Sequence, residues 1–281
     1  MDATRRRVHA ECPRERRSMR AVVFLGPTLA VTDAAALLEA DYLPAARQGD
    51  VYRAVRDRHP TAVGLVDGVF QQAPAVWHRE ILWALARGVY VFGAASIGAL
   101  RAVELETFGM RGVGCVFEAY RDGRWPGYDA PFEDDDEVAV IHAPAEAGFI
   151  PLSDAMVDLR DTLLAAEDIG VLTREQRDTL ADTMKRRHFP DRTIRALAEA
   201  AGGPAAAWIA AHPVRRKRLD AEAMLLAMAE LLATDPAPLQ PTFRFTPALV
   251  WRSFVTTADA QDAAAISKAA WQDWLATGTT R

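Results

Sequence analysis

The sequence has few cysteines and no long apolar run, and each shortage excludes a class of protein. Cys12 and Cys115 are the only cysteines among 281 residues, which excludes a disulfide framework and favours a reducing compartment. No apolar stretch approaches the ~20 residues that a membrane-spanning helix needs. We therefore expect a cytoplasmic protein with no membrane partner.

Basic residues are also fewer than acidic ones. The chain carries 33 Lys and Arg against 38 Asp and Glu, a net charge of −5, which argues against a general nucleic-acid-binding protein. The exception is residues 1–18, which contain six arginines and almost no large apolar residue. We interpret them as a basic disordered tail, or as sequence upstream of a true start at Met19, with a basic arm for an acidic partner as an alternative.

Hydrophobic residues make up half of the chain, and their pattern changes near residue 147. Continuous apolar runs at 21–25, 62–66 and 89–92 are typical of buried parallel strands, and amphipathic helices are predicted between them. Shorter strands are predicted at 115–117 and 138–142. This order predicts a doubly wound, mostly parallel α/β domain over residues 19–147 and an α-helical domain over 148–281.

One stretch stands out within the α/β half. The apolar run 89–92 leads through Gly93, Ala94 and Ala95 to Ser96 and then to a helix-forming segment. This A-A-S-I-G pattern differs by one residue from the nucleophile elbow G-x-S-x-G, in which a strained strand-to-helix turn presents a reactive serine. The more common interpretation of such a turn is a tight strand-to-helix crossing in which Ser96 only caps the helix.

The topology predicts which other residues approach Ser96. Ligands of doubly wound sheets bind at the carboxyl ends of the strands. Besides Ser96, those ends carry Gly26, Pro27 and Thr28 after the first strand, and Asp67 and Gly68 after the second. His78 and Glu80 belong to the first turn of the next helix, which begins at the same edge.

Three further clusters allow more than one interpretation. The carboxylates at 133–137 are typical of a solvated surface, with a hard-cation site or a surface for a basic partner as alternatives. His142 is either a packed histidine or a general base. The basic run 215–218 is most simply a solvated helix start, with a surface for an acidic partner as an alternative. The glycine-rich turn 109–114 follows a helix and lacks the dinucleotide-binding spacing, so no cofactor is expected.

Residues 22–101 resemble the TfuA-like family, and the resemblance extends to residue 139. The stretches that carry it are V-F-L-G-P at 23–27, G-D at 49–50, V-D-G-V-F at 66–70, V-W-H-R-E-I-L at 76–82, and F-G-A-A-S-I-G-A-L-R-A-V-E-L at 92–105. The family usually has Met where Ile97 stands. Its members tend to begin directly before the first strand, which supports Met19 as the start.

The resemblance implies a role in the biosynthesis of modified ribosomal peptides. TfuA-like proteins partner YcaO enzymes in peptide backbone thioamidation, in which the YcaO enzyme activates the amide oxygen. One proposal has the TfuA-like protein release sulfide from the C-terminal thiocarboxylate of a small ThiS-like carrier. The expected partners are therefore a YcaO enzyme, the carrier and, indirectly, the precursor peptide.

Thiocarboxylate hydrolysis needs a nucleophile, a base and an oxyanion site. We predict Ser96 as the nucleophile or as part of the anion site, and His78 as the base, oriented by Asp67 or Glu80. Arg101 and Glu104 are predicted to bind substrate together with Gly26, Pro27, Thr28 and Gly68. The structural alternatives are a His78 packed under its helix, an Asp67 that caps a turn, and an Arg101 that pairs with Glu104 or Glu106. Cys115 as a persulfide carrier ranks lower, since no basic neighbour lowers its pKa.

Two functions from different classes therefore remain. The first is a hydrolase that liberates sulfide for the YcaO enzyme. The second is an adaptor that docks the YcaO enzyme and the carrier without chemistry of its own. A nucleotide-binding module is a weaker third, because no P-loop or dinucleotide motif is present.

Overall fold

A computed structural model describes residues 21–69, 73–144 and 147–277, with side chains as far as residue 265. The predicted tail at 1–18 and the predicted start at Met19 lie outside these residues. Five parallel strands form one sheet in the order β2-β1-β3-β4-β5. They are β1 (Ala21–Phe24), β2 (Asp41–Leu43), β3 (Ala62–Leu65), β4 (Tyr90–Ala94) and β5 (Arg111–Val113). The predicted α/β class is confirmed.

One α-helix follows each of the five strands, and six more helices follow one another in the described second half of the chain. In chain order they are α1 (Val31–Ala35), α2 (Asp50–Arg58), α3 (His78–Ala86), α4 (Ile97–Leu105), α5 (Cys115–Asp122), α6 (Met156–Asp168), α7 (Arg174–Lys185), α8 (Ile194–Ala201), α9 (Gly203–Ala211), α10 (Arg216–Ala233) and α11 (Leu249–Thr277). The capping box predicted from the sequence at the start of α7 is present: Gln176 N–H donates to Thr173 Oγ1, and Thr173 N–H donates to Gln176 Oε1.

Both faces of the sheet are covered, because successive side chains of a strand point to opposite sides. One face packs against α2, α3 and α4 through residues that include Val22, Phe24, Val63 and Leu65. The other face packs against α1 and α10 through the alternate residues, among them Val23, Leu25, Val66 and Phe92. A helix from the C-terminal half of the chain thus completes the core of the sheet.

Helix α10 approaches the sheet closely at a glycine. A Cβ atom on Gly64 would lie 2.8 Å from Met228 Sδ and 2.9 Å from Met224 Cε. Both methionines are fully buried, as expected for side chains that fill irregular gaps in a core. The missing side chain of Gly64 therefore lets two flexible methionines lie directly on β3.

Two predicted strands are wrong. Residues 115–117 begin helix α5, and the strand is the preceding segment Arg111–Val113, separated from the helix by Gly114 at φ +94°. Residues 138–142 run as irregular chain across the carboxyl edge of the sheet, with an isolated bridge between His142 and Pro151. The segment is apolar although it forms no strand, because Val138 and Ala139 are buried at this edge.

Two buried carboxylates join helices of the C-terminal half to their neighbours. Asp158 Oδ1 accepts a hydrogen bond from the Lys217 amide at 3.0 Å, and Asp220 Oδ2 accepts one from the Val116 amide at 2.8 Å. Burial raises the pKa of each carboxyl from 3.8 to about 6. The charged forms are therefore costly in the folded protein.

This burial predicts a protein that is more stable at pH 5 than at pH 7. A carboxyl whose folded pKa is raised stabilises the fold below its unfolded pKa and loses that contribution as the pH rises through the folded pKa. We expect each carboxyl to add about 1 kcal/mol to the unfolding free energy between pH 7 and pH 5. Thermal unfolding at both pH values measures it.

Asp158→Asn and Asp220→Asn are the matched variants, because each keeps an acceptor oxygen but removes the titration. Each substitution should reduce the stability difference between the two pH values by about half. A wild-type unfolding midpoint that falls from pH 7 to pH 5 would contradict the prediction.

Candidate functional site

A cavity of about 620 Å³ opens at the carboxyl edge of the sheet. The loops after three strands line it: Pro27 follows β1, Asp67 and Gly68 follow β3, and Ser96 follows β4. The chain crosses from β1 to β2 in one direction and from β3 to β4 in the other, so the cavity lies where the strand order reverses. Ligands of open parallel sheets bind at such switch points.

Ser96 lies at the predicted elbow between β4 and α4. The positive φ of +65° falls on Ala95, and the Ser96 amide donates to the Ala94 carbonyl at 2.7 Å. Such a φ is strained for a residue with a Cβ. The half-buried Ser96 side chain lines the cavity and forms no cap bond with α4. Among the described residues its hydroxyl has no hydrogen-bond partner, so it is free to meet a ligand.

Asp67 is only 2 % exposed and binds the loop after β1. Its Oδ2 accepts from the amides of Gly26 at 2.9 Å and Thr28 at 3.1 Å, and its Oδ1 accepts from Thr28 Oγ1 at 2.6 Å. These bonds hold the ends of β1 and β3 together. The carboxylate lines the cavity but does not contact His78, so it does not orient that ring in this structure.

His78 lies outside the cavity lining and pairs with Glu104. One oxygen, Glu104 Oε2, accepts from His78 Nε2 at 2.8 Å and from the Arg101 guanidinium at 2.6 Å. Arg101 Nε also donates to the Val76 carbonyl at 2.8 Å. Arg101 and Glu104 line the cavity. His78 is thus linked to the cavity lining through Glu104, and within the described residues no hydrogen bond joins it to Ser96.

Glu80 does not line the cavity and is fully buried. Its carboxylate accepts from the Trp77 amide at 3.1 Å, at the start of α3, and from the Tyr52 amide at 3.2 Å, in the first turn of α2. One side chain therefore satisfies free amides at two helix N-termini. Burial raises the pKa of Glu80, against the opposing effect of these amides. Its observed contacts are structural.

The segment 133–142, which contains one 3-10 turn (Asp135–Glu137), forms another wall of the cavity. His142 Nδ1 lies 2.8 Å from the Ala143 carbonyl oxygen. Because a carbonyl only accepts, Nδ1 carries the proton, and in the neutral ring Nε2 is left as the basic nitrogen.

The acidic run is largely neutralised by the helical half. Glu137 forms two hydrogen bonds with the Arg160 guanidinium, at 2.8 and 2.9 Å, and Asp136 pairs with Arg192 at 2.6 Å. Lys185 contacts Asp134 and Glu137, each at 3.0 Å, and also Asp136. Within the described part of the chain no group of three or more His, Cys, Asp or Glu is arranged to hold a metal ion.

Lys217 is a cavity residue that the sequence interpretation missed. The sequence predicts a solvated helix start for its basic run, but Lys217 is 4 % exposed and lines the cavity.

Cys115 does not line this cavity, and burial raises the pKa of its thiol, which disfavours a reactive thiolate.

Comparison with known proteins gives one family. Residues 67–193 match the family described as TfuA-like protein, and no curated protein matches the chain. The matched segment contains Ser96, Arg101, Glu104 and the 133–142 wall, whereas Pro27 and Lys217 lie outside it.

Among the described residues no helix is both long enough and apolar enough to cross a membrane.

Proposed function

Since the chain belongs to the TfuA-like family through residues 67–193, we propose that it partners a YcaO enzyme in peptide backbone thioamidation. In this role it hydrolyses the C-terminal thiocarboxylate of a ThiS-like carrier to supply sulfide. The reaction is R–COS⁻ + H₂O → R–COO⁻ + H₂S: a C–O bond forms, the C–S bond breaks, and sulfur leaves with the bonding electron pair.

One observation carries the proposal: Ser96, at the apex of the elbow, lines a cavity with two cationic side chains. The volume of about 620 Å³ is typical of sites that enclose a small ligand, and it suits the tail of a carrier rather than its folded body. Nucleophilic attack on a thiocarboxylate adds a nucleophile to an anion. Five acidic residues also line the cavity: Asp67, Glu104, Glu133, Asp134 and Asp135. Arg101 and Lys217 are its two cations, so they offset this repulsion only where their own side chains reach the reacting group.

Each of three cavity residues has its own role in the proposed reaction. The Ser96 oxygen attacks the thiocarboxylate carbon, sulfide leaves, and water then hydrolyses the resulting ester to regenerate the serine. His142 is our candidate base, because it lines the same cavity and its Nε2 is free of the Ala143 contact. Glu104 positions Arg101 and is itself held by His78.

A second function is favoured by a different observation. Ser96 has no hydrogen bond to a base within the described residues, and Glu133, Asp134 and Asp135 lie exposed along the cavity edge. A serine that is not hydrogen-bonded to a base and an exposed acidic edge are features of an adaptor that docks a basic surface of a partner. In that case the YcaO enzyme itself would remove sulfur from the carrier.

Sulfide release with and without the partner separates the two functions. The purified protein is incubated with thiocarboxylated ThiS-like carrier, and free sulfide is followed over time. Hydrolysis predicts multiple turnovers in the absence of the YcaO enzyme. Release that begins only when the YcaO enzyme, ATP and peptide are added would support the adaptor instead.

A further inference from the structure

The ammonium group of Lys217 is buried and incompletely bonded. Its Nζ donates to the Val138 carbonyl at 2.9 Å, and the nearest carboxylate oxygen, Asp67 Oδ1, lies at 3.9 Å. The contact between Lys217 Nζ and Asp67 Oδ1 is therefore an ion pair that is too long for a hydrogen bond. A lysine ammonium has three donors, so within the described chain two of them lack an acceptor at hydrogen-bond distance.

The backbone around Lys217 fixes this position. The Lys217 amide donates to Asp158 Oδ1, so the first turn of α10 is tied to α6. The residue also lies at the positive end of the α10 dipole, which favours a bound anion. Asp67 does not supply the missing acceptors, since its nearer oxygen, Oδ1, lies 3.9 Å from Lys217 Nζ and accepts from Thr28 Oγ1 instead.

Lys217 also stands between two cavities. It lines the large one together with Ser96, and a smaller one of about 240 Å³ together with Thr28 and Arg215. A buried polar donor with unused capacity is costly unless a ligand or water satisfies it. The two free donors, the burial and the position in the cavity wall together point to a bound anion.

We propose that Lys217 binds the anionic end group of the substrate chain, carboxylate or thiocarboxylate, through the two donors that have no acceptor at hydrogen-bond distance. This assignment rests on the proposed function for the identity of the substrate. It places a substrate-binding residue on α10, beyond the segment that matches the family. Lys217 thereby holds the reacting group in the cavity that Ser96 lines.

A binding experiment tests this without turnover. The probe is a fluorescently labelled peptide with the sequence of the carrier C-terminus, prepared with a free carboxylate and as the carboxamide. We expect the wild-type protein to bind the carboxylate about 10-fold more tightly, and Lys217→Gln to bind both forms with equal, weak affinity. A 10-fold difference corresponds to ~1.4 kcal/mol.

Arg218→Gln is the matched control. Arg218 is a neighbouring cation on the same helix that pairs with Asp33 and Glu222 and lines only the smaller cavity, so its loss should leave the carboxylate preference intact. Lys217→Met, which keeps the apolar stem, replaces Lys217→Gln if the latter fails to fold, and circular dichroism checks each variant.

The outcomes separate this inference from the proposed function. A carboxylate preference that survives in a folded Lys217 variant, or that is absent from the wild-type protein, overturns the inference even if sulfide is released. A preference that depends on Lys217 supports it even if no sulfide is released, in which case the cavity binds the carrier tail without cleaving it.

Discussion

Replacing Ser96 by alanine is expected to reduce sulfide release by about 10³-fold or more while leaving the fold intact. Loss of a catalytic nucleophile has effects of at least this size. The Ser96 hydroxyl makes no cap bond with α4, so its removal should change the thermal unfolding midpoint little. The initial rate of sulfide release under excess carrier measures the effect.

Two controls make the Ser96 result interpretable. Ser253→Ala removes an exposed serine from α11 and should leave the rate unchanged. His78→Ala should reduce the rate by less than the ~10²-fold expected from loss of a general base, because His78 reaches the cavity only through Glu104. An unchanged rate in Ser96→Ala would make the elbow a structural turn.

Replacing Gly98 by alanine is expected to prevent stable folding. A Cβ atom at this position would lie 1.7 Å from the Leu65 carbonyl oxygen and 2.6 Å from its carbon. Both atoms belong to the backbone of β3, so neither can move without separating α4 from the sheet. We expect a loss of more than about 4 kcal/mol in unfolding free energy, measured by denaturant unfolding or seen as loss of folded protein.

Gly64→Ala is the matched control for this substitution. Its new Cβ would also be too close to its neighbours, but they are the ends of Met228 and Met224, which are adaptable side chains. We expect a cost of about 1 to 3 kcal/mol, the usual range for overpacking. If Gly98→Ala is as stable as Gly64→Ala, α4 is not held against β3 as described.

The strands predicted from long apolar runs are confirmed, and the predicted short strands at 115–117 and 138–142 are wrong. β1, β3 and β4 are buried on both faces, so continuous hydrophobicity identifies them. β2 (Asp41–Leu43) is a half-exposed edge strand of three residues with no such signal. The apolar run 138–142 has the composition of a strand but lies against the cavity, since burial alone does not require sheet pairing.

The sequence contains a local signal for a capping role of Glu80, which differs from the predicted role of orienting His78. Glu80 stands three residues after Trp77, where α3 begins, which is the spacing of a capping glutamate. Its second bond, to the Tyr52 amide, depends on the packing of α2 beside α3 and has no signal in the sequence. The sequence therefore contains enough information to indicate its capping role at α3 only.

Lys217 and the pairing of His78 depend on tertiary structure alone. A lysine within the run 215–218 resembles any solvated helix start, and its burial results from the docking of α10 on the sheet. The bond between His78 and Glu104 joins two helices through residues 26 positions apart. The predicted division into two domains at residue 147 remains a prediction, although α10 shares a core with the sheet.

Hydrolysis at Ser96 is tested most directly by the intact mass of the carrier after incubation with this protein alone. Thiocarboxylated ThiS-like carrier is supplied in excess over the protein, with no YcaO enzyme and no ATP, and is measured by mass spectrometry at successive times. Hydrolysis at Ser96 predicts that carrier in excess of the enzyme exchanges its terminal sulfur for oxygen, with one equivalent of sulfide released. A carrier that loses its sulfur no faster than it does without protein would contradict hydrolysis by this protein.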